Sequence, residues 1–222
     1  ERIHTLLTQD LSLSPYDTPQ TRPFIGTFHA LSLHIIKTFP SLLGLPKRFT
    51  IYDRSDSLRA AKEAIKDSGF DPKQLEPRRV LSVMSRQKGD DVSRLTFLDT
   101  KASSYIEEAI AEAWERYDVI LKKEKALDFD DILVDALKLL REHAHVREHF
   151  RAQWSHIHVD EYQDTNRVQY ELVKMLISES HNLAVVGDID QNIYSWRGAS
   201  IEHIMNFEHD YPEASVVVLT QN

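Results

Sequence analysis

The chain has 222 residues, of which 41% are hydrophobic and 28% charged, which suffices for one packed core with a smaller satellite domain. It contains no cysteine, which excludes a disulfide framework and a thiolate metal site. No apolar run approaches the roughly 20 residues that a membrane helix needs, and no signal peptide is visible, so a cytoplasmic protein is the expectation. The net charge of −8 argues against a general nucleic-acid binder.

The charge is distributed unevenly along the chain. Residues 46–125 hold 17 Lys and Arg against 15 Asp and Glu, whereas the rest of the chain holds 10 against 20. The middle segment is therefore the better candidate for contacts with phosphate groups. For most individual Lys and Arg residues there, the alternative interpretation is an ordinary solvated helix surface.

Residues 1–8 are predicted to be the end of a helix, and a proline-containing loop is predicted to follow over residues 10–23. The apolar run Phe24–Thr27 predicts a buried strand. A helix is predicted to follow from Phe28 to about Phe39, because apolar residues recur there at helical spacing and Pro40 cannot continue the helix.

Residues 46–125 read as a helical insertion. Helices are predicted at 55–68 and 77–88, each with a glycine as its C-terminal stop, and at 104–123, which starts with a capping-box pattern. The next helix is predicted to run to about Arg141 with Asp128 as its N-cap, and we interpret the carboxylates at 128, 130 and 131 as structural and not as a metal site.

Further elements are predicted toward the C-terminus. The pattern indicates a helix over 166–178, a short helix from Ser200 to about Phe207, and a final buried strand over 216–219.

Two short apolar runs, ending at Val159 and Val186, are each followed by acidic residues. Their length and Val/Ile content predict strands buried on both faces of a parallel sheet, with the helix over 166–178 as the crossover. Ligands of open α/β sheets lie beyond the carboxyl ends of the strands. One crevice is therefore expected to receive the polar side chains that follow the two runs, namely Asp160, Glu161, Asp164, Asp188, Asp190 and Gln191.

This arrangement is typical of nucleotide hydrolysis. Magnesium binds through one or two carboxylates together with substrate phosphates, and a neighbouring carboxylate or amide can orient the attacking water. Asp160 followed by Glu161 fits that pair, although an Asp-Glu dipeptide alone is equally compatible with a surface turn.

Both segments resemble motifs of one family, the UvrD/Rep/PcrA group of superfamily 1 DNA helicases. The second motif of that group is similar to residues 160–166, DEYQDTN, and the third motif is similar to residues 186–199, VGDIDQNIYSWRGA. The resemblance implies a P-loop NTPase (RecA-like) α/β fold with an incomplete parallel sheet and an all-helical inserted subdomain.

The resemblance also implies a role for each matching residue. Asp160 would hold Mg²⁺ and Glu161 would polarise the attacking water. Gln191 would report on the γ-phosphate of ATP, and Arg197 would lie near the nucleotide. Tyr194 and Trp196 would stack on bases, an interaction that is indifferent to base sequence.

A shorter match concerns Thr27, Phe28 and His29, which resemble the family's motif Ib, whose polar residues contact the backbone of single-stranded DNA. The alternative is that Thr27 is simply a helix N-cap and His29 a first-turn surface residue.

The resemblance divides the chain into three parts. Residues 1–45 and 126–222 would belong to the first RecA-like domain, called 1A, and residues 46–125 would form the 1B insertion, which lies near duplex DNA. The implied partners are single-stranded DNA, junctions of single- and double-stranded DNA, and the remaining helicase domains.

The phosphate-binding pattern Gly-x-x-x-x-Gly-Lys-Ser/Thr is absent, because no pair of the six glycines has that spacing. We therefore expect the P-loop to precede this segment in the parent protein, the second RecA-like domain to follow it, and these 222 residues alone to be inactive.

Three functional hypotheses remain open on the sequence. The first is part of an ATP-dependent 3′→5′ DNA helicase. The second is a helicase-like module that binds DNA or protein without catalysis, and the third is the helicase subunit of a helicase–nuclease.

Overall fold

A computed structural model describes residues 23–101, 103–178, 182–191 and 202–218. The α-helices in this part are α1 Phe28–Thr38, α2 Arg54–Asp67, α3 Pro77–Gly89, α4 Arg94–Thr100, α5 Tyr105–Glu124, α6 Phe129–Glu142, α7 Ala144–Gln153, α8 Arg167–Leu176, α9 Glu202–Met205 and α10 Phe207–Asp210. Short 3₁₀ turns occupy Pro40–Leu43, Tyr162–Asp164 and Ile189–Gln191. No helix among these residues is long and apolar enough to cross a membrane.

The strands of the described part form two small parallel sheets. Strand β1 (Thr50–Ile51) pairs with β2 (Ala126–Leu127), and β3 (Ile157–Val159) pairs with β4 (Leu183–Val185). The predicted strand–helix–strand unit is confirmed, since α8 connects β3 to β4. The molecule is thus an α/β chain that is mostly helical.

Several helix ends follow the signals in the sequence. The hydroxyl of Ser104 accepts a hydrogen bond from the backbone N–H of Glu107, as the predicted cap requires, but the Glu107 carboxylate accepts from the backbone N–H of Ser103, so the reciprocal bond of a capping box is not formed. Gly69, just past α2, has a φ of 80°, the left-handed conformation that glycine adopts at low cost. Gly89 is instead the last residue of α3, and Asp91 takes the left-handed position with a φ of 60°.

Two predicted strands are wrong. Residues 23–27 and 214–218 have no regular structure, and the Val216–Val218 side chains are 62–78% exposed. An apolar run becomes a strand only where a neighbouring strand offers hydrogen-bonding groups, and no strand lies beside either segment within the described ranges.

Burial of β3 and β4 on both faces is also wrong. His158 and Ala184, which are directly paired in the ladder, are exposed, whereas Val159 is buried. Successive side chains of a strand point to opposite faces of the sheet. One face of this sheet is covered by helices and the other is open, so buried and exposed residues alternate.

The buried apolar side chains form two large clusters. The first lies among α2, α3, α4 and α5 and includes Trp114 and Tyr117. The second lies among α1, α6, α7 and α8 and includes Ile35 and Phe150. A smaller third cluster surrounds β3 and β4 and includes Tyr162.

A buried ionic group joins the first cluster to the second. Lys88 of α3 is 6% exposed, and its Nζ lies 2.5 Å from Asp131 Oδ1 and 3.2 Å from Asp128 Oδ2. The hydroxyl of Tyr117, from α5, donates to Asp128 at 3.1 Å. Asp128 and Asp131 also form the capping box at the start of α6, so the structural interpretation of these two carboxylates is confirmed.

The three charges perturb one another. Burial alone would lower the pKa of Lys88, but the charges of Asp128 and Asp131 raise it above its usual value. Burial opposes ionisation of Asp128, yet the ammonium group holds its pKa below the usual range. For Asp131, burial dominates and raises the pKa to about 8. One ammonium group is thus shared by two carboxylates, of which Asp128 is the more strongly ionised.

We predict that Lys88→Met lowers the free energy of unfolding by about 3–5 kcal/mol, because it leaves buried carboxylates without their counter-charge. Urea denaturation of this variant against the wild type measures the loss. Lys122→Met, at an exposed position of α5, is the matched control and should change stability little. Equal stability of the two variants would contradict the role given to Lys88.

We further predict that stability depends on pH through Asp131. The folded chain holds the Asp131 proton more tightly than the unfolded chain, so this contribution is present at low pH and is lost as the pH rises through 8. Stability should therefore fall by about 1–3 kcal/mol between roughly pH 6 and pH 9. Asp131→Asn should remove that fall in stability, whereas Asp99→Asn, at an exposed position, should retain it. Denaturation midpoints of both variants and the wild type, measured at several pH values, test this prediction.

Candidate functional site

The candidate site lies at the carboxyl ends of β3 and β4. The parallel register places Val159 beside Val185, so the residues that follow each strand emerge at the same edge. The backbone N–H of Val186 donates to Val159 at 2.8 Å, and the N–H of Tyr162 donates to Val186 at 2.9 Å. The two strand ends therefore stay hydrogen-bonded beyond the ladder itself.

Asp160 and Glu161 are both exposed at this edge. Asp160 Oδ1 accepts a hydrogen bond from the backbone N–H of Glu161 at 3.0 Å. Glu161 has a φ of 51° and a ψ of 43°, a left-handed conformation that costs a non-glycine residue roughly 1–2 kcal/mol. Such conformations persist only where the surroundings enforce them, and they occur frequently at functional sites.

A fully buried amide supports Glu161. Gln163 is 0% exposed, and its Nε2 donates to Glu161 Oε2 at 2.8 Å. Its Oε1 accepts from the backbone N–H of Asp188 at 3.0 Å. This single side chain therefore bridges the segment after β3 and the segment after β4.

The segment after β4 carries Asp188 and Gln191. The Nε2 of Gln191 donates to Asp188 Oδ2 at 2.7 Å, and the backbone N–H of Asp190 donates to Asp188 Oδ1 at 3.0 Å. Asp188 thus fixes the turn that presents Gln191 to the same edge as Asp160. The structure brings together three of the predicted site residues: Asp160, Glu161 and Gln191.

Asp164 is the member of the acidic set that points inward. Its Oδ1 is buried and has no hydrogen-bond partner in the described structure. Burial, and then the charge of Glu161, raise the pKa of Asp164. Asp164 is therefore a poorer ligand for a cation than Asp160.

The carboxylate of Asp160 fits a magnesium ion. It is exposed, and one of its oxygens accepts a single backbone hydrogen bond, which leaves lone pairs free. Within the described ranges no group of three or more His, Asp and Glu side chains could hold a metal by itself. Magnesium commonly binds through one or two carboxylates with substrate phosphates completing its coordination, so a single exposed Asp suits a Mg-nucleotide.

Thr27, Phe28 and His29 lie at the start of α1. Thr27 is the N-cap of α1, with its hydroxyl accepting from the N–H of Ala30 at 3.2 Å, as one of the two interpretations predicted. Phe28 packs against the second and third clusters. His29 is half-buried against Phe129, with ring centroids 5.5 Å apart, and burial lowers its pKa. The contacts of these residues are thus with α1, α6 and the apolar clusters.

Tyr194, Trp196 and Arg197 lie outside the described residues, as does Ser200. Tyr162, which lies within the motif over residues 160–166, is 1% exposed and packs edge-to-face on Phe207, with ring centroids 5.8 Å apart. It is therefore a core residue.

A cleft away from this edge contains none of the predicted site residues. Its volume is about 490 Å³, and it lies between α8 and the α9–α10 pair. The candidate site is by contrast an open sheet edge with exposed carboxylates.

Sequence analysis missed two features of the site. Nothing in the sequence indicates that Gln163 bridges the two segments, except that it lies between Glu161 and Asp164. Gly187 was also passed over, yet a Cβ there would lie 2.6 Å from Gln163 Oε1, so only glycine permits this approach.

Comparison with known proteins identifies the family. A family model described as the UvrD/REP helicase N-terminal domain matches residues 1–212. The ATP-dependent DNA helicase PcrA of Leuconostoc citreum is 39% identical over 222 residues, which is 100% of this chain and 28% of that protein.

Two further relatives carry the same name. PcrA of Bacillus subtilis is 40% identical over 199 residues, and PcrA of Staphylococcus aureus is 38% identical over 199 residues. Each match covers 90% of this chain and 27% of the relative. The chain spans little more than a quarter of these curated relatives, and by the extent of its match it belongs to the UvrD/REP helicase N-terminal domain family.

Proposed function

We propose that this chain is part of an ATP-dependent 3′→5′ DNA helicase or translocase and carries its ATP-hydrolysis carboxylates. The observation that supports this most strongly is the pairing of β3 with β4, which brings Asp160, Glu161 and Gln191 to one sheet edge. The relatives named ATP-dependent DNA helicase PcrA support the same function.

The roles at the nucleotide follow from the exposed groups. Asp160 would bind Mg²⁺, which neutralises charge on the phosphates of ATP. Glu161 would accept a proton from, or polarise, the attacking water, since its carboxylate is exposed and held in place. Gln191 would contact the terminal phosphate, and Arg197 would lie near the nucleotide.

The roles at DNA rest on the family resemblance. Tyr194 and Trp196 would stack on bases, and Thr27, Phe28 and His29 would lie along the backbone of the single strand. Single-stranded DNA and its junctions with duplex are the proposed partners, together with the P-loop segment and the second RecA-like domain of the parent protein.

We also propose the division into a RecA-like 1A domain, residues 1–45 and 126–222, and a helical 1B insertion, residues 46–125. The separate hydrophobic clusters support this division, because the first cluster draws its side chains from Tyr52 to Ala126. The second and third clusters draw theirs from the flanking segments.

We predict that Glu161→Gln in the full-length gene product lowers ATP turnover by about 100-fold or more, because it removes the group that activates water. The KM for ATP should change little. Hydrolysis is measured with and without single-stranded DNA, and Glu112→Gln, at an exposed position of α5, is the control. Full turnover by Glu161→Gln would refute the role given to Glu161, whereas no hydrolysis by the wild-type gene product, with DNA binding intact, would favour the non-catalytic binding module.

A second prediction concerns the chain alone. Since its 222 residues contain no Gly-x-x-x-x-Gly-Lys-Ser/Thr sequence, it should show no hydrolysis above background, even with single-stranded DNA. The full-length gene product assayed in parallel is the positive control. Substantial DNA-stimulated hydrolysis by the isolated chain would refute this prediction.

A further inference from the structure

We infer that Gln163 is a positioning residue that holds Glu161 in its working orientation and ties it to the segment 187–191 after β4. This inference rests on the proposed function, because Gln163 matters to catalysis only if Glu161 activates water. Gln163 does not itself touch the reacting atoms; it acts through Glu161.

The hydrogen bonds of Gln163 fix its orientation. A backbone N–H can only donate and an ionised carboxylate can only accept, so the amide oxygen must face Asp188 and the amide nitrogen must face Glu161. The side chain is fully buried, where an unmade hydrogen bond is costly. The amide cannot release one partner without losing a bond that water does not replace.

The backbone around Gln163 is shaped to allow this bridge. Gly187 approaches so closely that an added Cβ would meet Gln163 Oε1 at 2.6 Å and Ile204 Cδ1 at 2.8 Å. On the other side, the left-handed turn at Glu161 brings its carboxylate back over the amide, two residues along the chain. Neither feature is required by the β3–β4 ladder alone.

The bridge forms one continuous chain of hydrogen bonds. It runs from Glu161 through Gln163 to the N–H of Asp188, and from the carboxylate of Asp188 to the side chain of Gln191. A displacement of the segment that carries Gln191 therefore pulls on Gln163, and through it on Glu161. The residue that would contact the terminal phosphate and the residue that would activate water are held as one unit.

Two substitutions separate the two ends of the amide. Gln163→Glu keeps the size and an oxygen that accepts from Asp188, but it cannot donate to Glu161 and places a like charge beside it. Gln163→Met keeps the length and removes both hydrogen bonds. Gln153→Glu, at an exposed position of α7, is the matched control for the added charge.

The experiment measures ATP hydrolysis by the full-length gene product with single-stranded DNA across pH. Both Gln163 variants should lower kcat by about 10- to 100-fold with the KM for ATP nearly unchanged, because they misplace a catalytic group without removing a substrate contact. In Gln163→Glu the acid limb of the pH–rate profile should also move up by about one pH unit or more, because a neighbouring carboxylate disfavours ionisation. Gln153→Glu should match the wild type.

The pH profile distinguishes an effect on Glu161 from a loss of folded protein. It is normalised to the plateau of each protein, and thermal unfolding midpoints measured at each pH report the folded fraction separately, because stability itself depends on pH through Asp131. A wild-type pH profile for Gln163→Glu, or wild-type kcat for Gln163→Met, overturns the inference when Glu161→Gln is inactive. If Glu161→Gln itself retains turnover, the proposed function fails and this inference fails with it.

Discussion

The short parallel ladder between β3 and β4 is the constraint on which the site depends. It pairs only three residues of each strand, yet its direction brings both carboxyl ends to one edge. Two further hydrogen bonds between Val159, Tyr162 and Val186 extend it to the acidic turn. If the strands were antiparallel, Asp160 and Gln191 would lie at opposite ends of the sheet, and no local rearrangement could reunite them.

Buried polar groups fix the relative positions of neighbouring segments at two places, with different partners at each. At the sheet edge, the neutral amide of Gln163 links two backbone segments without placing a charge in the core. Between the hydrophobic clusters, the ammonium of Lys88 meets two carboxylates. Such groups specify geometry more sharply than apolar contacts do, because a hydrogen bond left unmade in the interior is costly.

The elements that depend on local signals could be predicted from sequence, and those that depend on distant partners could not. The helices from Phe28 and Pro77 and the caps at Ser104 and Asp128 follow periodicity and hydrogen-bonding residues a few positions apart. The strand predicted at 24–27 and the described part, 216–218, of the last predicted strand are irregular, because strand formation requires a neighbour. The site carboxylates were found through their motifs, but the left-handed turn at Glu161 and the buried Gln163 follow only from the packing of two segments.

The position of Lys88 has a consequence for dissecting this protein into parts. Tyr117 belongs to the first hydrophobic cluster and Lys88 lies on α3, which contributes Val80 and Met84 to it, whereas Asp128 and Asp131 begin α6, a helix of the second cluster. Excising the helices of the first cluster would leave two carboxylates at the exposed start of α6, and the excised piece would carry an ammonium group that had lost its counter-ions. The two halves are therefore distinct in their apolar packing but a single unit in their electrostatics, and a boundary drawn from hydrophobic contacts alone would divide a shared ionic centre.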